Sequence, residues 1–419
     1  MEQQAQFGAA RRTAGRCIGD TRAARVEPLV IAPSVLLFFL SLWAVVATYP
    51  TAVAGHVDFR HLYTAGYIVR TGLGSELYSY AKNEETQTKQ VGPAQGTLTF
   101  NHLAYEGLIF VPFSYLSYRR AYAAFFLLNV LLLAGTIRAL WPYFSKLVGI
   151  WQFLPAATVL CFFPVSIALV EGQDSLLLLA LFVASMVATD QHNELLGGAL
   201  LGLTFFKFQY ALPMVFLFLL WKRWRFLGGV AASAAAVTAL SFWVSGISGM
   251  TKYVPYLLSI SAKYTPDQGM RHGIHTEGMA NLRGLVASVV GASDHNALLL
   301  TLVFSIILIV WASLKHPSLP GALLAAVLVS YHHVISDASL LILPLGLMLA
   351  DYESPTPRKS QVALLASLTY LILPLLLFVG IHFSLLALPL LALFALWDGT
   401  YWSPYPGGQA FFCPQKDTK

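Results

Sequence analysis

PLVIAPSVLLFFLSLWAVVAT, residues 28–48, carries no charged side chain. At about 20 residues it is long enough to cross the hydrocarbon core of a bilayer as a single helix. It is too long for the roughly 7–15 apolar residues of a secretory signal, and no convincing small-residue cleavage site follows, so it reads as a signal anchor. Arg11, Arg12, Arg16, Arg22 and Arg25 precede it. Cytoplasmic flanks of membrane helices are enriched in Lys and Arg, so the N-terminus is expected in the cytoplasm.

The rest of the chain has the same character. Of 419 residues, 57% are hydrophobic and only 11% charged, against roughly 25% charged in an ordinary soluble domain. So few charges could not cover a soluble protein of this size. Apolar runs recur near 104–118, 121–140, 150–170, 174–189, 195–220, 226–245, 297–314, 319–335, 338–350, 361–379 and 381–397. The expected fold is all-α: a polytopic membrane protein of about twelve transmembrane helices. Residues 1–27 form a basic cytoplasmic tail, 28–350 the main transmembrane region, 351–397 further helices, and 398–419 a cytoplasmic tail.

Alternation from the first span puts Arg119-Arg120, Lys222-Arg223-Arg225, Lys315 and Arg358-Lys359 on the cytoplasmic side, with Arg138 and Lys146 as exceptions. Glu171-Gly172-Gln173-Asp174 is either a cytoplasmic turn or a break within a helix. The net charge of +6 follows from such basic turns, and no nucleic-acid partner is expected. Cys17, Cys161 and Cys413 have neither metal spacing nor an even count for a disulfide framework.

Two segments, 50–103 and 246–296, are too long and polar to be turns, and both face outward under this topology. Unstructured connections of that length are uncommon unless they have a function. In the first, Phe59, Leu62, Tyr63, Gly66 and Tyr67 recur at helical spacing, with Arg60, His61 and Thr64 on the other face. A short amphipathic helix lying on the outer membrane surface is predicted. Asp58 stands at its start, either as an N-cap accepting free helix N–H groups or as a general base near the membrane surface. His102, just before the second apolar run, is a substrate contact or an interfacial residue.

Lys207 falls among apolar and aromatic neighbours about 12 residues into its run. A lysine near a helix centre costs roughly 2.5–3.5 kcal/mol on insertion scales. It therefore snorkels, pairs with a carboxylate, or faces a polar cavity where an ammonium suits a phosphate. His332, His333 and Asp337 read as polar lining of a substrate cavity. Adjacent helical histidines point about 100° apart; His333 and Asp337 have the i, i+4 spacing of a chelate, but that pair alone is too little to indicate a metal site. Arg271 and Arg283 in the second outer segment are candidates for clamping a phosphate or meeting lipid headgroups. No phosphate-binding glycine loop, GxSxG elbow, HExxH or CxxC is present.

In this order the pieces resemble glycosyltransferase family 87, polytopic enzymes of the GT-C fold. Asp58-Phe59 follows the first span, and Gly72-Leu73-Gly74-Ser75-Glu76-Leu77-Tyr78 matches a Gly-to-Leu-Tyr turn. Gly172-Gln173 precedes an apolar run. Gly202-Leu203, Lys207 and Gln209 are followed by the basic 222–225 turn, and His333 to Asp337 is followed by Pro344. The resemblance covers roughly residues 28–350.

It implies transfer of a mannose-like sugar or a pentose from a polyprenyl-phosphate donor to a glycan or glycolipid hydroxyl. The reaction would take place on the outer face of a bacterial-type cytoplasmic membrane, by an inverting displacement with Asp58 as base. Lys207, Arg271 and Arg283 would face the donor phosphate. His61, His102, Gln173, Gln209, His332, His333 and Asp337 would line the cavity. No cofactor is implied. The competing readings are a lipid or solute transporter or flippase, and a polysaccharide ligase or polymerase.

Overall fold

A computed structural model describes residues 30–93, 96–262, 276–291, 295–352, 356–379 and 382–405. The regular structure of the described residues is all helical, with no strand among them. Five helical stretches among them are long and apolar enough to cross a membrane: Val30–Val53, Tyr118–Leu140, Glu194–Leu220, Trp224–Leu258 and Asn296–Ser313.

The helices are α1 (Val30–Val53), α2 (Phe59–Arg70), α3 (Tyr80–Gln90), α4 (Glu106–Phe110), α5 (Tyr118–Leu140), α6 (Leu154–Leu160), α7 (Phe163–Val170), α8 (Ser175–Asp190) and α9 (Glu194–Gly202). They continue as α10 (Phe208–Leu220), α11 (Trp224–Ala262), α12 (Leu282–Val290), α13 (His295–Ser313), α14 (Leu319–Val329), α15 (Ile342–Ala350), α16 (Pro357–Val379) and α17 (Ala387–Leu396).

The apolar run 104–118 is not a span. It folds as the five-residue α4 and a 3-10 turn at Phe113–Tyr115, far short of the 20 residues a crossing needs. Tyr63 Oη donates to Leu116 O at 2.9 Å and Tyr118 Oη to Ala52 O at 3.2 Å. The start of α5 therefore lies at the end of α1.

The run 195–220 is likewise not one straight helix. A straight 27-residue helix would be about 40 Å long, yet Glu194 and Arg223, just outside its two ends, form an ion pair. The chain turns back at a 3-10 segment, Leu203–Lys207. The glycines fix the direction of its first half. A Cβ on Gly198 would lie 1.8 Å from Phe226 O, and one on Gly229 would lie 2.0 Å from Leu195 O. These close approaches set α9 beside α11 and parallel to it, so α10, which runs back from the hairpin tip to the start of α11, is antiparallel to both. Lys207 is thus at the tip of a helical hairpin rather than midway along a span.

These corrections re-sort the basic residues. Lys146 pairs with Asp351 at 3.1 Å, and Asp351 also holds Lys359 at 3.2 Å. Arg358 Nε donates to Leu396 O, Lys315 Nζ to Trp397 O, and Trp221 Nε1 to Ser313 O. Lys146, Arg223, Lys315, Arg358 and Lys359 therefore gather at one end of the bundle, with Arg138 in the last turn of α5 beside them. Arg119-Arg120, at the other end of α5, lie at the opposite pole. The sequence reading groups Arg119-Arg120 with Arg223, Lys315 and Arg358-Lys359 and sets Arg138 and Lys146 apart, because it counts 104–118 as a crossing; the structure exchanges those two pairs and leaves the other basic residues together.

The segment after the first span is folded onto the bundle. α2 is buried on nearly every side and does not lie on a membrane surface. Its polar face is covered because the Arg60 guanidinium is held by Gln87 Oε1 (3.0 Å), Gly55 O (3.1 Å) and Gly92 O (2.5 Å). Its apolar face enters an aromatic cluster in which Phe59 stacks on Phe125 with centroids 5.1 Å apart. The second long segment is not a loop from residue 246 onward. α11 continues past a break at Gly246, where φ is 65°, and α12 follows the residues outside the described set.

Candidate functional site

Six pieces of chain separated widely in sequence meet at the end of the bundle away from the basic cluster. They are the start of α2, residues 101–106, the 171–175 turn, the hairpin tip at 203–210, the start of α12 and the 330–337 segment.

Asp58 is not the side-chain cap of α2. Its backbone is already helical, and its carboxylate makes no capping bond. The carboxylate instead accepts a hydrogen bond from Gln173 Nε2, while Phe59 N donates to Glu171 O at 2.9 Å. The 171–174 stretch, left open by the sequence, is therefore a break between α7 and α8 that packs against Asp58. It needs a glycine: Gly172 has φ +60°, and a Cβ there would meet Phe59 Cβ at 2.7 Å.

Beneath Asp58 lies a buried ionic group. Lys207 Nζ is 2.7 Å from Asp174 Oδ1 and 2.5 Å from Asp337 Oδ1, with all three side chains 3% exposed or less. It also donates to Ser175 Oγ at 3.0 Å, and Ser175 Oγ donates to Asp337 Oδ1 at 2.6 Å. An ammonium has three N–H groups, and protein oxygens engage all of them. Of the roles open to Lys207 in the sequence, pairing with carboxylates is the one the structure contains. As a direct ligand of a donor phosphate, the role given to it in the sequence, it has no proton left.

Lys207 Nζ also approaches Gln173 Oε1 at 3.5 Å. The Gln173 amide therefore points its oxygen at the ammonium and its NH2 at Asp58, a sense that both neighbours require. The hairpin tip is braced by Tyr105, whose Oη donates to Leu203 O (2.9 Å) and accepts from Phe206 N (2.8 Å).

Tyr210 extends the network. Its Oη lies 3.0 Å from Asp337 Oδ2 and 2.9 Å from His333 Nδ1. With His333 donating from Nδ1, the tyrosine can donate to the carboxylate. On the other flank His102 Nδ1 bonds to Glu106 and lies 3.4 Å from Asp174 Oδ2. The His61 and His102 rings meet edge to face, with centroids 5.9 Å apart. Burial lowers the His61 pKa to about 4, against the opposing pull of Asp58, and burial lowers that of His102 as well. Both imidazoles are neutral at pH 7.

At the other margin Arg283 donates to Tyr331 O at 2.9 Å, with its guanidinium 4.1 Å from the Tyr331 ring centre. Asn281 caps α12 and donates to Ser330 O at 2.8 Å, tying α12 to this segment. His332 is half-buried beside them. Gln209 is half-buried and makes no hydrogen bond to the group among the described residues. Arg271 lies outside the described residues.

The structure thus brings together Asp58, His61, His102, Gln173, Lys207, His333 and Asp337, with Arg283 and His332 at the margin. The sequence reading missed Glu106, Asp174, Ser175 and Tyr210 as members. Asp174 and Glu106 had one available cue: each is an acidic residue beside an apolar run.

An all-helical membrane protein with an ionisable group of this density at one end is the class that fold and site define. Residues 106–344, more than half of the chain, match the model of glycosyltransferase family 87, and the chain belongs to that family. It is accordingly a membrane glycosyltransferase, acting on a sugar donor and an acceptor. Family membership decides for the transferase over the transporter reading. The match begins at Glu106 and so leaves Asp58, His61 and His102 on its N-terminal side. No curated protein and no solved structure matches the chain.

Proposed function

We propose that this protein transfers a glycosyl group, mannose-like or pentose, from a polyprenyl-phosphate donor to a hydroxyl of a glycan or glycolipid acceptor at the outer face of a cytoplasmic membrane. The observation that carries the reading is the state of Asp58. Its carboxylate does not cap its own helix; it is half-exposed and oriented by an amide whose other end faces a buried lysine.

In the proposed step the acceptor oxygen attacks the anomeric carbon from the face opposite the phosphate, forming the new C–O bond. The bond from that carbon to the phosphate oxygen breaks, and the acceptor proton passes to Asp58. The polyprenyl phosphate leaves as an anion with the bonding electrons. Arg283, at the margin of the site, is the residue assigned to that anion. Lys207 is assigned a positioning role: it balances Asp174 and Asp337 and holds Gln173 so that Asp58 keeps one orientation. Gln173, His61 and His102 line the acceptor side, His332, His333 and Asp337 the other.

The orientation rests on the basic end of the bundle. Short segments rich in Lys and Arg stay cytoplasmic, which turns the Asp58 end outward. In the proposed topology twelve crossings are counted with different members: 104–118 is left out and 194–220 counts twice. Seven crossings then precede the segment that links α11 to α12, the order expected of a GT-C fold.

The test is Asp58→Asn, assayed for sugar transfer from a panel of polyprenyl-phosphate sugars in membranes. Removing a general base lowers turnover by roughly 10²–10⁴-fold, and donor binding should remain. Turnover within a few-fold of the unaltered protein removes Asp58 as the base.

A further inference from the structure

Glu106 and Asp174 are both wholly buried, at 0% exposure, and a carboxylate oxygen of each lies within 4.8 Å of the other. Two carboxylates this close inside a protein must share a proton or a cation. The protein groups at hand do not suffice for both. One nitrogen, His102 Nδ1, faces Glu106 Oε2 and Asp174 Oδ2 together, and a ring nitrogen carries at most one proton. Glu106 Oε1 is buried with no hydrogen-bond partner at all. Lys207, one positive charge, is already divided between Asp174 Oδ1 and Asp337.

The donor atoms of His102, Glu106 and Asp174 all lie within 4.8 Å of one another. A divalent ion with bonds of roughly 2.1 Å sets neighbouring ligand atoms about 3 Å apart, a spacing these side chains reach with small rotations. We propose that His102, Glu106 and Asp174 bind one divalent cation. Two carboxylates and one imidazole make a mixed oxygen–nitrogen set, suited to Mn²⁺ or its relatives and not to a soft thiophilic metal. Asp174 then bridges, with Oδ1 on the lysine ammonium and Oδ2 on the ion.

The binding site stands on this geometry alone. A second consequence rests on the proposed transfer reaction: the ion adds positive charge next to Gln173 and Asp58, where Lys207 has none to spare for a leaving phosphate.

The protein is purified in detergent, stripped with EDTA and desalted, then titrated with MnCl₂ while the electron paramagnetic resonance signal of free Mn²⁺ is followed. One Mn²⁺ per chain is expected, and Zn²⁺ should compete for it. Glu106→Gln and His102→Ala should each weaken binding at least ten-fold, while Asp58→Asn, outside the ligand set, should bind as the unaltered protein does. Gel filtration and thermal unfolding of each variant establish that it is folded. Retention of neither Mn²⁺, Zn²⁺ nor Mg²⁺ by the unaltered protein overturns the proposal and leaves a proton as the link between Glu106 and Asp174. Unchanged Mn²⁺ binding by folded Glu106→Gln overturns it equally. Because the readout is metal retention, loss of sugar transfer in Asp58→Asn neither supports nor removes this site.

Discussion

Lys207→Met keeps the side-chain length and removes the charge that holds the site together. The ammonium sits 2.7 Å from one buried carboxylate and 2.5 Å from another. At an effective dielectric constant of 20, each contact has a gross attraction of about 6 kcal/mol. Removing all three ions from water costs several kcal/mol apiece and offsets most of that. The net value of the triad is therefore small, but deleting only the cation is different, because Asp174 and Asp337 remain desolvated and now repel. Breaking a buried pair in this way costs roughly 3–5 kcal/mol.

Unfolding of the detergent-solubilised protein by urea, followed by the fluorescence of its nine tryptophans, should show a loss of that size for Lys207→Met. Combining it with Asp337→Asn removes one of the stranded charges, so the double variant should recover part of the loss. A coupling of about 1–3 kcal/mol is expected from the cycle. If Lys207→Met costs less than about 1 kcal/mol and the cycle shows no coupling, the ammonium does not sit between these carboxylates and the reasoning fails.

Gln173→Leu should leave the fold intact and lower kcat by about ten-fold or more with little change in KM, because it frees the Asp58 carboxylate to rotate; an unchanged kcat removes its positioning role. Gly198→Ala should destabilise the protein by about 2 kcal/mol or more, since its Cβ would lie 1.8 Å from Phe226 O, a backbone atom that cannot yield without moving a helix; an unaltered unfolding midpoint would mean that α9 and α11 are not packed in this register. Stability should also fall on acidification between about pH 6.5 and 4. The unfolded chain protonates His61 near 6.5, whereas the folded site keeps it neutral down to about 4, so the unfolded state binds more protons throughout that window. His61→Gln should flatten the dependence measured by the urea midpoint, and a slope identical to that of the parent protein would count against a buried neutral His61.

The class of the protein was legible without coordinates. Eleven per cent charge and recurrent apolar runs leave few alternatives to a helical membrane protein, because hydrophobicity is a local property that each segment carries with it. The same logic singles out Asp58, Lys207, His333 and Asp337 as ionisable groups beside apolar runs, although Glu106 and Asp174 carry the same cue and were passed over. The path of the chain was not legible in this way. Residues 104–118 are as apolar as a span, yet fold as two short turns against α2. Residues 195–220 have the length of one crossing, yet turn back at Lys207.

Composition does not record where a helix breaks when the break is fixed by packing, as with Tyr105 bracing the hairpin tip and glycines letting α9 lie on α11. Partners were the least legible of all. Asp174, Glu106 and Lys207 meet only because three chain reversals bring residues 101–106, 171–175 and 203–210 to one place. The charge balance that makes the site is therefore a property of the tertiary structure, whereas the residues that compose it are a property of the sequence.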